Sequence, residues 1–222
     1  MDLEERMKAY ERVYHLFLPI RMPVIIRVDG RAFHTFTRRF ERPFDWRFAN
    51  GMDIVAERLF SEVQNARFCY IQSDEVSVLL VDYNRFDSQQ WFGGELLKMA
   101  SISASIASSA MTLHFSCEVS FDSRVFPIPE KDVCNYFLWR QRDATRNSIQ
   151  MVARKYYSHK ELDRKNNDEQ QEMIFRAGDN WNDYPAYFKR GRGYDGGGIL
   201  KELPIFSQDV GFLDKYLHIE EE

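Results

Sequence analysis

The chain of 222 residues has little cysteine and no excess of positive charge. Its three cysteines, Cys69, Cys117 and Cys134, lie far apart and form no CxxC pair. Neither a disulfide framework nor a zinc site is therefore expected. The 30 lysines and arginines are outnumbered by 34 aspartates and glutamates, which gives a net charge of -4. A chain of this charge has no global basic field, so contact with RNA or DNA requires a local basic surface.

Long apolar runs and a secretory leader are also missing. The N-terminus, MDLEERMKAYERV, is charged from its second residue, unlike a signal peptide. The most apolar stretch, residues 96–115, carries several serines, a lysine and a histidine, and we do not expect it to cross a membrane. With 44% hydrophobic and 29% charged residues, the chain can bury a full core. This composition indicates a cytoplasmic globular protein without a membrane partner.

The first half of the chain predicts a small sheet backed by helices. An amphipathic helix over residues 3–17 precedes a β-branched strand, PVIIRVDG, that ends at Gly30. After a loop rich in arginine and phenylalanine, apolar residues three or four apart predict a helix over residues 48–63. FCYIQ and VSVLLVD then predict a hairpin that turns at residues 73–75. The order strand, helix, strand, strand is typical of split βαβ folds.

The second half predicts helices around one further strand. A helix rich in serine and alanine covers residues 95–115, and VSFDSRVFPI is a strand candidate. Residues 130–157 predict a long helix, residues 162–179 a charged helix, PAYFKRG a strand or hairpin end, and GRGYDGGG a flexible loop. The long helix has a predicted inner stripe of Cys134, Leu138, Thr145, Ile149, Val152 and Tyr156, and a polar face of Arg140, Asp143, Asn147 and Arg154.

Three acidic residues fall at neighbouring strand ends in this arrangement. Asp29 is the last side chain of the first strand, and Asp74 and Glu75 lie at the hairpin turn. Clustered carboxylates repel one another unless they share cations, and oxygen ligands without histidine or cysteine favour Mg²⁺. The cluster therefore points to phosphoryl or nucleotidyl transfer with two metal ions. Spacing alone leaves open that both acidic segments are ordinary turns.

Seven distinctive segments follow one another between about residues 22 and 190. They are RVDGRAFHTFT, RPFD, QSDEVSV, ASIASS, FDSRVF, WRQRDATRNS and a final Pro-x-Tyr-x-Lys-Arg-Gly. In this order they resemble the tRNA-histidine guanylyltransferase family, whose enzymes add nucleotides to the 5′ end of tRNA in the 3′–5′ direction. The resemblance implies an α+β fold with a polymerase-palm-like (ferredoxin-like) antiparallel sheet backed by helices. Residues 1–130 would form the palm-like catalytic core, and residues 131–222 a helical and β extension packed on it.

The resemblance also implies roles for the acidic residues. Asp29, Asp74 and Glu75 are then catalytic, and two Mg²⁺ ions are held by Asp29, the Gly30 carbonyl and Asp74. The metals would neutralise a triphosphate, activate the attacking hydroxyl and stabilise the pyrophosphate leaving group.

A nucleotide-binding set follows from the same resemblance, with ATP and GTP or another NTP as substrates. Its members are Gly30, Arg31, Ala32, Phe33, His34, Arg42, Asp45, Ser73, Lys98 and Arg124. Backbone N–H groups of the turn after Gly30 can cradle phosphates, and His34 is assigned to substrate contact rather than to general-base catalysis. Arg42 stands where the family usually has a phosphate-binding lysine, which keeps the charge and changes the geometry.

Arginines are expected to bind the 5′ end and acceptor stem of tRNA. The best local basic surface combines Arg38, Arg39, Arg42 and Arg47 with Arg140, Arg142 and Arg146 of the long helix. Arg140, Arg146 and Asn147 are the predicted tRNA contacts. Eukaryotic members carry a histidine-isoleucine-asparagine-asparagine run where this chain reads TRNS at residues 145–148. This departure resembles the guanylyltransferase-like branch, which repairs truncated 5′ ends against a template.

The predicted function is therefore template-dependent 3′–5′ nucleotide addition at tRNA 5′ ends, after ATP activates a 5′-monophosphate. The alternatives are a non-templated guanylyltransferase specific for histidine tRNA, a palm-type nucleotidyl cyclase and a non-catalytic RNA-binding module. A diguanylate cyclase would show a Gly-Gly-acidic-Glu-Phe turn, which the SDE turn of this chain is not. Multimers are usual in the family, so a homotetramer built as a dimer of dimers is expected.

Overall fold

The computed structural model describes residues 1–83, 85 and 87–218. Within them, the strands are β1 (Val24–Gly30), β2 (Ala66–Gln72), β3 (Glu75–Leu80), β4 (Phe121–Pro127), β5 (Arg192–Tyr194) and β6 (Ile199–Leu200). The α-helices are α1 (Leu3–Glu11), α2 (Phe33–Phe36), α3 (Trp46–Glu62), α4 (Leu96–Phe115), α5 (Val133–Ala153), α6 (His159–Leu162), α7 (Asn167–Arg176), α8 (Ala186–Arg190) and α9 (Asp214–Leu217). These strands form one antiparallel sheet in the order β4-β1-β3-β2-β5-β6.

The first four strands form a ferredoxin-like core. Their order in the sheet is β4-β1-β3-β2, with α3 connecting β1 to β2 and α4 connecting β3 to β4. Both helices pack on the same face of the sheet, as a split βαβ unit requires. The predicted α+β class and the predicted antiparallel sheet backed by helices are confirmed.

Helices and C-terminal chain cover both faces of this sheet. On one face, α3 and α4 pack on Ile26, Val28 and Val78. On the other face, α5 and the segment after β6 pack on Ile25 and Leu79. Burial of each such side chain contributes about 1.5–3 kcal/mol relative to leaving it exposed. Each face of the sheet is therefore covered by an apolar core, and several polar residues lie toward one end of β1 and β3.

Strand register gathers these polar residues. Asp29 of β1 pairs with Glu75 of β3 on one side and with Asp122 of β4 on the other. Two positions earlier in β1, Arg27 lies opposite Arg124 of β4. Directly opposed residues point to the same face of a sheet. All five side chains therefore lie on the face that α5 covers.

The N-terminal helix is shorter and more exposed than its apolar pattern predicts. α1 ends at Glu11, and a 3₁₀ turn follows over Arg12–Tyr14. All nine residues of α1 are exposed. Exposed apolar side chains continue beyond it, and together they are Leu3, Met7, Tyr10, Val13, Tyr14, Leu16, Phe17 and Ile20. We call these eight side chains the N-terminal apolar face.

The helix α4 is long and apolar enough to cross a membrane by length and composition, contrary to the prediction from its serines. A core helix of a globular protein passes the same test. Met99, Ala107 and Met111 of α4 are buried in the core that it shares with the sheet and α3. Ser103, also buried, forms a hydrogen bond with Ser123 of β4 at 2.7 Å. This packing favours a core helix.

Two predictions for the C-terminal part are wrong. PAYFKRG contains the short helix α8 rather than a strand, because Pro185 fits the position before a helix start. GRGYDGGG is not all flexible loop, because Arg192–Tyr194 form β5 and pair with β2. The Arg192 guanidinium fixes this strand by donating to the Asp53 carboxylate and, at 2.6 Å, to the Ala49 carbonyl of α3.

The buried stripe of α5 is rotated from the predicted one. Ile149 and Val152 are buried as predicted, whereas Cys134, Leu138 and Thr145 are only partly buried. Tyr156 lies beyond the end of the helix and is exposed. The other buried residues of α5 are Val133, Tyr136, Phe137, Arg140, Gln141, Ala144, Ser148 and Ala153. The side of α5 that faces the sheet therefore includes Arg140.

Candidate active site

The end of β1 and the turn between β2 and β3 bring two carboxylates together. Ser73 and Asp74 form a two-residue turn, with Ser73 in the left-handed region at a φ of 47°. The Gly30 N–H donates to the Asp74 carbonyl at 3.0 Å, which fixes the turn against the end of β1. Asp29 and Asp74 therefore lie at the same edge of the sheet.

Burial and neighbouring carboxylates disfavour the ionised forms of Asp29 and Asp74. Burial, followed by the charge of Asp29, raises the pKa of Asp74 to about 6. Burial, followed by the charge of Asp122, raises the pKa of Asp29, although three nearby arginines oppose that shift. A cation bound at this edge would relieve the repulsion.

The oxygen donors at this edge suit magnesium. Asp29, Asp74 and the Gly30 carbonyl are hard donors, and the Asp74 carboxylate is hydrogen-bonded to Ser73. Within the described residues, no group of three histidine, cysteine, aspartate or glutamate side chains has a metal-binding arrangement. Two carboxylates and a carbonyl would therefore need water or phosphate oxygens to complete the coordination. The residues present fit a magnesium site that a bound phosphate completes.

Packing requires a glycine at position 30. A Cβ at this position would overlap the ring of Phe33. That ring is buried and packs edge to face against Phe121, which is paired with Gly30 in the sheet. Phe33 therefore offers a ligand only its backbone, whereas the neighbouring Arg31 and Ala32 are exposed.

A cavity of about 300 Å³ opens beside the Ser73-Asp74 turn. Four of the predicted nucleotide-binding residues line it, namely His34, Arg42, Asp45 and Ser73. Its apolar lining comprises Phe40, Pro43, Phe44, Phe48, Ala49, Ala144, Met151 and Phe188. Apolar walls with a few placed polar groups are typical of small-molecule sites.

Asp45 lines this cavity but is already engaged by protein groups. Its carboxylate accepts from the Arg47 backbone N–H at 2.8 Å, from the Arg47 guanidinium at 3.1 and 2.7 Å, and from the Glu41 N–H at 3.0 Å. The hydrogen bonds from Arg47 hold the pKa of Asp45 well below its usual value. Asp45 is also the N-cap of α3, so it shapes the segment that forms one cavity wall.

Glu75 is buried beneath α5 and is held by several donors. Arg140 donates to both carboxylate oxygens, each at 2.8 Å. Gln72 and Ser77 donate to the first of these oxygens at 3.3 and 3.4 Å. Burial raises the pKa of Glu75, and the Arg140 charge opposes that shift. The prediction that Arg140 belongs to an exposed tRNA-binding surface is wrong, because its guanidinium points into the protein.

Lys98 does not join the other predicted nucleotide contacts. It is the third residue of α4, and its neighbour Met99 lies beside Val24 at the start of β1. Ser108, ten residues further along this helix, accepts from the Phe121 N–H beside the acidic edge. Ten helical residues span about 15 Å. Lys98 therefore lies away from the acids and outside the lining of the cavity, and its contact with a nucleotide stays a prediction.

Arg124 remains near the acids. It is exposed on β4, on the same face as Asp29, and its charge lowers the pKa of that carboxylate. Its guanidinium is therefore free to approach a phosphate bound at this edge.

The TRNS segment contributes to two different surfaces. Arg146 is exposed and pairs with Asp143, whereas Asn147 lines the cavity. Ser148 is buried, accepts from the Trp181 indole N–H at 3.0 Å and donates to the Thr145 carbonyl at 2.8 Å. Of the predicted tRNA contacts, Arg146 is thus the one that an RNA backbone can reach directly.

Sequence reasoning missed several residues at the site. Asp122 stands opposite Asp29, and the alternation in FDSRVF could have indicated it once β4 was paired with β1. Tyr187 lines the cavity, and its place in the Pro-x-Tyr-x-Lys-Arg-Gly motif could have indicated that it belongs to the site. Arg154, placed on the polar face of the long helix, also lines the cavity.

Comparisons with known proteins agree with this arrangement. The family model described as tRNAHis guanylyltransferase matches residues 4–129. The tRNA(His) guanylyltransferase of Schizosaccharomyces pombe is 33% identical over 156 residues, which cover 65% of this chain and 57% of that protein. The chain thus spans little more than half the length of that relative.

Solved structures resemble almost the whole chain. A bacterial tRNA(His) guanylyltransferase (Thg1)-like protein in complex with ATP is 36% identical and superposes with a TM-score of 0.95, covering 98% of this chain and 100% of that one. A structure of such a protein in complex with GTP gives a TM-score of 0.87 at 36% identity, covering 96% and 98%. The palm-like fold is shared with these structures.

Proposed function

Because the chain belongs to the tRNAHis guanylyltransferase family of nucleotidyltransferases, we propose that it extends tRNA 5′ ends in the 3′–5′ direction, choosing nucleotides by pairing with a template strand. ATP first adenylylates a 5′-monophosphate and pyrophosphate leaves. The 3′-hydroxyl of an incoming NTP then attacks the activated 5′ phosphate, and AMP leaves. We place this reaction in the cytoplasm.

The observation that carries the proposal is the pair of carboxylates beside a cavity. Asp29, Asp74 and the Gly30 carbonyl would hold two magnesium ions, which when bound neutralise phosphate charge and lower the pKa of a coordinated hydroxyl. The exposed Ser73 hydroxyl and the Arg42 guanidinium line the cavity beside this edge. They would bind and orient a triphosphate, so that its reactive phosphorus lies near the acids.

The shape of the cavity supports a nucleotide as its ligand. Its phenylalanine and proline side chains offer flat apolar walls to a base, while His34, Asn147 and Arg154 supply polar contacts. The bacterial relatives of similar fold were solved with ATP and with GTP, which supports the same two substrates here.

A basic surface next to the cavity supports RNA as the second substrate. The exposed arginines around α2 are Arg31, Arg38, Arg39, Arg42 and Arg47. The Arg39 guanidinium lies 4.3 Å above the Phe36 ring and 5.2 Å from the centre of the Phe40 ring, so its position is fixed. With Arg146 on α5, these side chains suit the phosphates of an acceptor stem, and their binding would depend strongly on salt.

The TRNS segment supports template reading over strict selection of one tRNA. At the position of the second asparagine in the eukaryotic run, Ser148 is used for packing against Trp181. This side chain is therefore unavailable for reading RNA, and base pairing would select the incoming nucleotide.

The test uses tRNA that lacks its first 5′ nucleotide and carries a 5′-monophosphate. Changing the opposite template base from C to A should change the preferred addition from G to U, and tRNAs with unrelated anticodons should be repaired at similar rates. Addition of G whatever lies opposite, and only to histidine tRNA, would contradict template reading. Pyrophosphate release from GTP without RNA would indicate a cyclase instead.

We also propose that the protein is a homotetramer. The N-terminal apolar face is an exposed group of eight apolar side chains within about 20 residues, which is typical of a surface that binds a partner. A second copy of the chain would cover this face, and pairing of two such dimers would give the tetramer.

A further inference from the structure

A buried ion pair joins α5 to the first residue of β3. The side chains of Arg140 and Glu75 are each 7% exposed, and two parallel hydrogen bonds of 2.8 Å connect them. Arg140 also donates to Asp143 at 2.9 Å, and its guanidinium lies 4.4 Å from the centre of the Trp139 ring. Both charges are therefore fixed in orientation, as bidentate pairs are.

The surroundings of Glu75 leave it little capacity for chemistry. Arg140, Gln72 and Ser77 donate to its oxygens, and Arg27 approaches one of them to 3.9 Å. These donors hold the carboxylate in one position. It is thus suited to anchoring a neighbouring element.

The pair links the two sides of the cavity. Glu75 directly follows Ser73 and Asp74, the turn that carries one catalytic carboxylate and lines the cavity. About one to four turns beyond Arg140, the cavity is also lined by Ala144, Asn147, Ser148 and Met151 of α5 and by Arg154 just after it. Any shift of α5 relative to β3 would therefore change both the width of the cavity and the position of its wall relative to Asp74.

We propose that Arg140 is a positioning residue, which acts through Glu75 to hold the α5 wall of the cavity against the catalytic turn and does not contact tRNA. The effect of this positioning on kcat rests on the function proposed above. Buried ion pairs add little net stability compared with apolar replacements, so a role in fixing relative position accounts for this one.

The experiment removes both charges together, because Arg140→Met alone would leave a buried, unpaired glutamate and could unfold the protein. The double variant Glu75→Gln/Arg140→Met is compared with wild type and with Arg146→Met, which changes an exposed arginine of the same helix. Thermal unfolding reports folding, calorimetry reports ATP affinity, and tRNA binding is measured at several salt concentrations. Pyrophosphate release at saturating ATP and RNA gives kcat.

For the double variant, we expect a folded protein with tRNA affinity within twofold of wild type and the same salt dependence. ATP should bind at least fivefold more weakly, and kcat per folded protein should fall at least tenfold. Arg146→Met should show the reverse pattern, with weaker tRNA binding, a salt slope lower by about one and unchanged ATP affinity. Arg140→Lys, which keeps the charge without the two parallel bonds, should recover part of the loss.

Two results would overturn the proposal. Weaker tRNA binding with a reduced salt slope in the double variant would show that Arg140 contacts RNA. If the double variant kept the ATP affinity and the kcat of wild type, the ion pair would have no role in positioning the cavity wall. If the wild-type protein released no pyrophosphate with RNA, the proposed function would fail, while the change in ATP affinity would still decide the role of Arg140.

Discussion

Among single residues, Asp29 and Asp74 are both partly buried, and the charge of Asp29 disfavours ionisation of Asp74. Asp29 lies at the end of a strand and Asp74 in a turn. Such a site is unfavourable in isolation, since burial and the neighbouring charge both raise the pKa of Asp74. A ligand that neutralises the acids would recover that energy on binding. The strain at this edge is therefore consistent with a binding role rather than with stability.

Replacing either acid should abolish catalysis. We expect Asp29→Asn or Asp74→Asn to lower the rate of RNA-dependent pyrophosphate release by at least about a thousandfold, or roughly 4 kcal/mol, because metal charge stabilisation would be lost. Asp122→Asn, on the same face but exposed, is the matched control and should cost less than about fivefold. A tenth of normal activity in either test variant would exclude the assignment.

The raised pKa of Asp74 has a consequence for stability against pH. A carboxyl with a folded-state pKa of about 6 and an ordinary value of 3.8 binds its proton more tightly in the folded protein. Its favourable contribution is complete below about pH 4 and is lost as pH rises through 6. In buffer with EDTA, Asp74→Asn should therefore raise the free energy of unfolding by about 2 kcal/mol at pH 7.5.

Urea unfolding at pH 7.5 and 4.5 measures this difference, which should shrink to about a third at the lower pH. Equal or lower stability of the variant at pH 7.5 would show that the ionised carboxylate is not under strain. The Asp122→Asn variant again serves as the control.

At the scale of elements, β5 depends on a contact between distant parts of the chain. Arg192 and Asp53 are both buried and form an ion pair, so this short strand is fastened to α3 as well as to β2. The same strand leads from α8, which lines the cavity, and Gly191 between them has a φ of 76°.

Breaking this ion pair should destabilise the fold. Arg192→Met leaves Asp53 buried and unpaired, which should lower the free energy of unfolding by about 3–5 kcal/mol. Asp53→Asn/Arg192→Met removes both charges and should recover most of that loss. Urea denaturation of the three proteins gives the comparison, and equal stability of the single and double variants would argue against an uncompensated charge as the cause.

Sequence predicted most elements of the core and fewer of those around the cavity. β1, α3, the β2–β3 hairpin, α4 and β4 follow local periodicity, and the structure places each within a few residues of the prediction. The three residues of β5 include Gly193 and follow Gly191, so the strand has little β propensity. Its position depends instead on the pairing of Arg192 with Asp53. The buried face of α5 was mispredicted for a similar reason, because Arg140 is buried through its pairing with Glu75 on the face of the sheet that α5 covers.

For the whole molecule, the N-terminal apolar face is the surface that the monomer leaves open. If a second copy covers it, charged substitutions there should dissociate the assembly without unfolding the chain. We expect Tyr10→Asp/Phe17→Asp to reduce the mass measured by sedimentation velocity at least twofold, with an unchanged unfolding temperature of the monomer core. A mass equal to that of wild type would place the interface elsewhere, and Leu113→Asp, exposed on α4, is the control.

The cavity draws its walls from segments far apart along the chain. The ferredoxin-like core, with the carboxylates of Asp29 and Asp74, is complete at Pro127, whereas further lining of the cavity comes from α5, α8 and β5. On the ribosome, where synthesis proceeds from the N-terminus, the acids would be aligned well before any pocket exists to receive a nucleotide. Nascent chains and fragments cut after β4 are therefore expected to be inert, and activity begins only when the last third of the polypeptide has emerged.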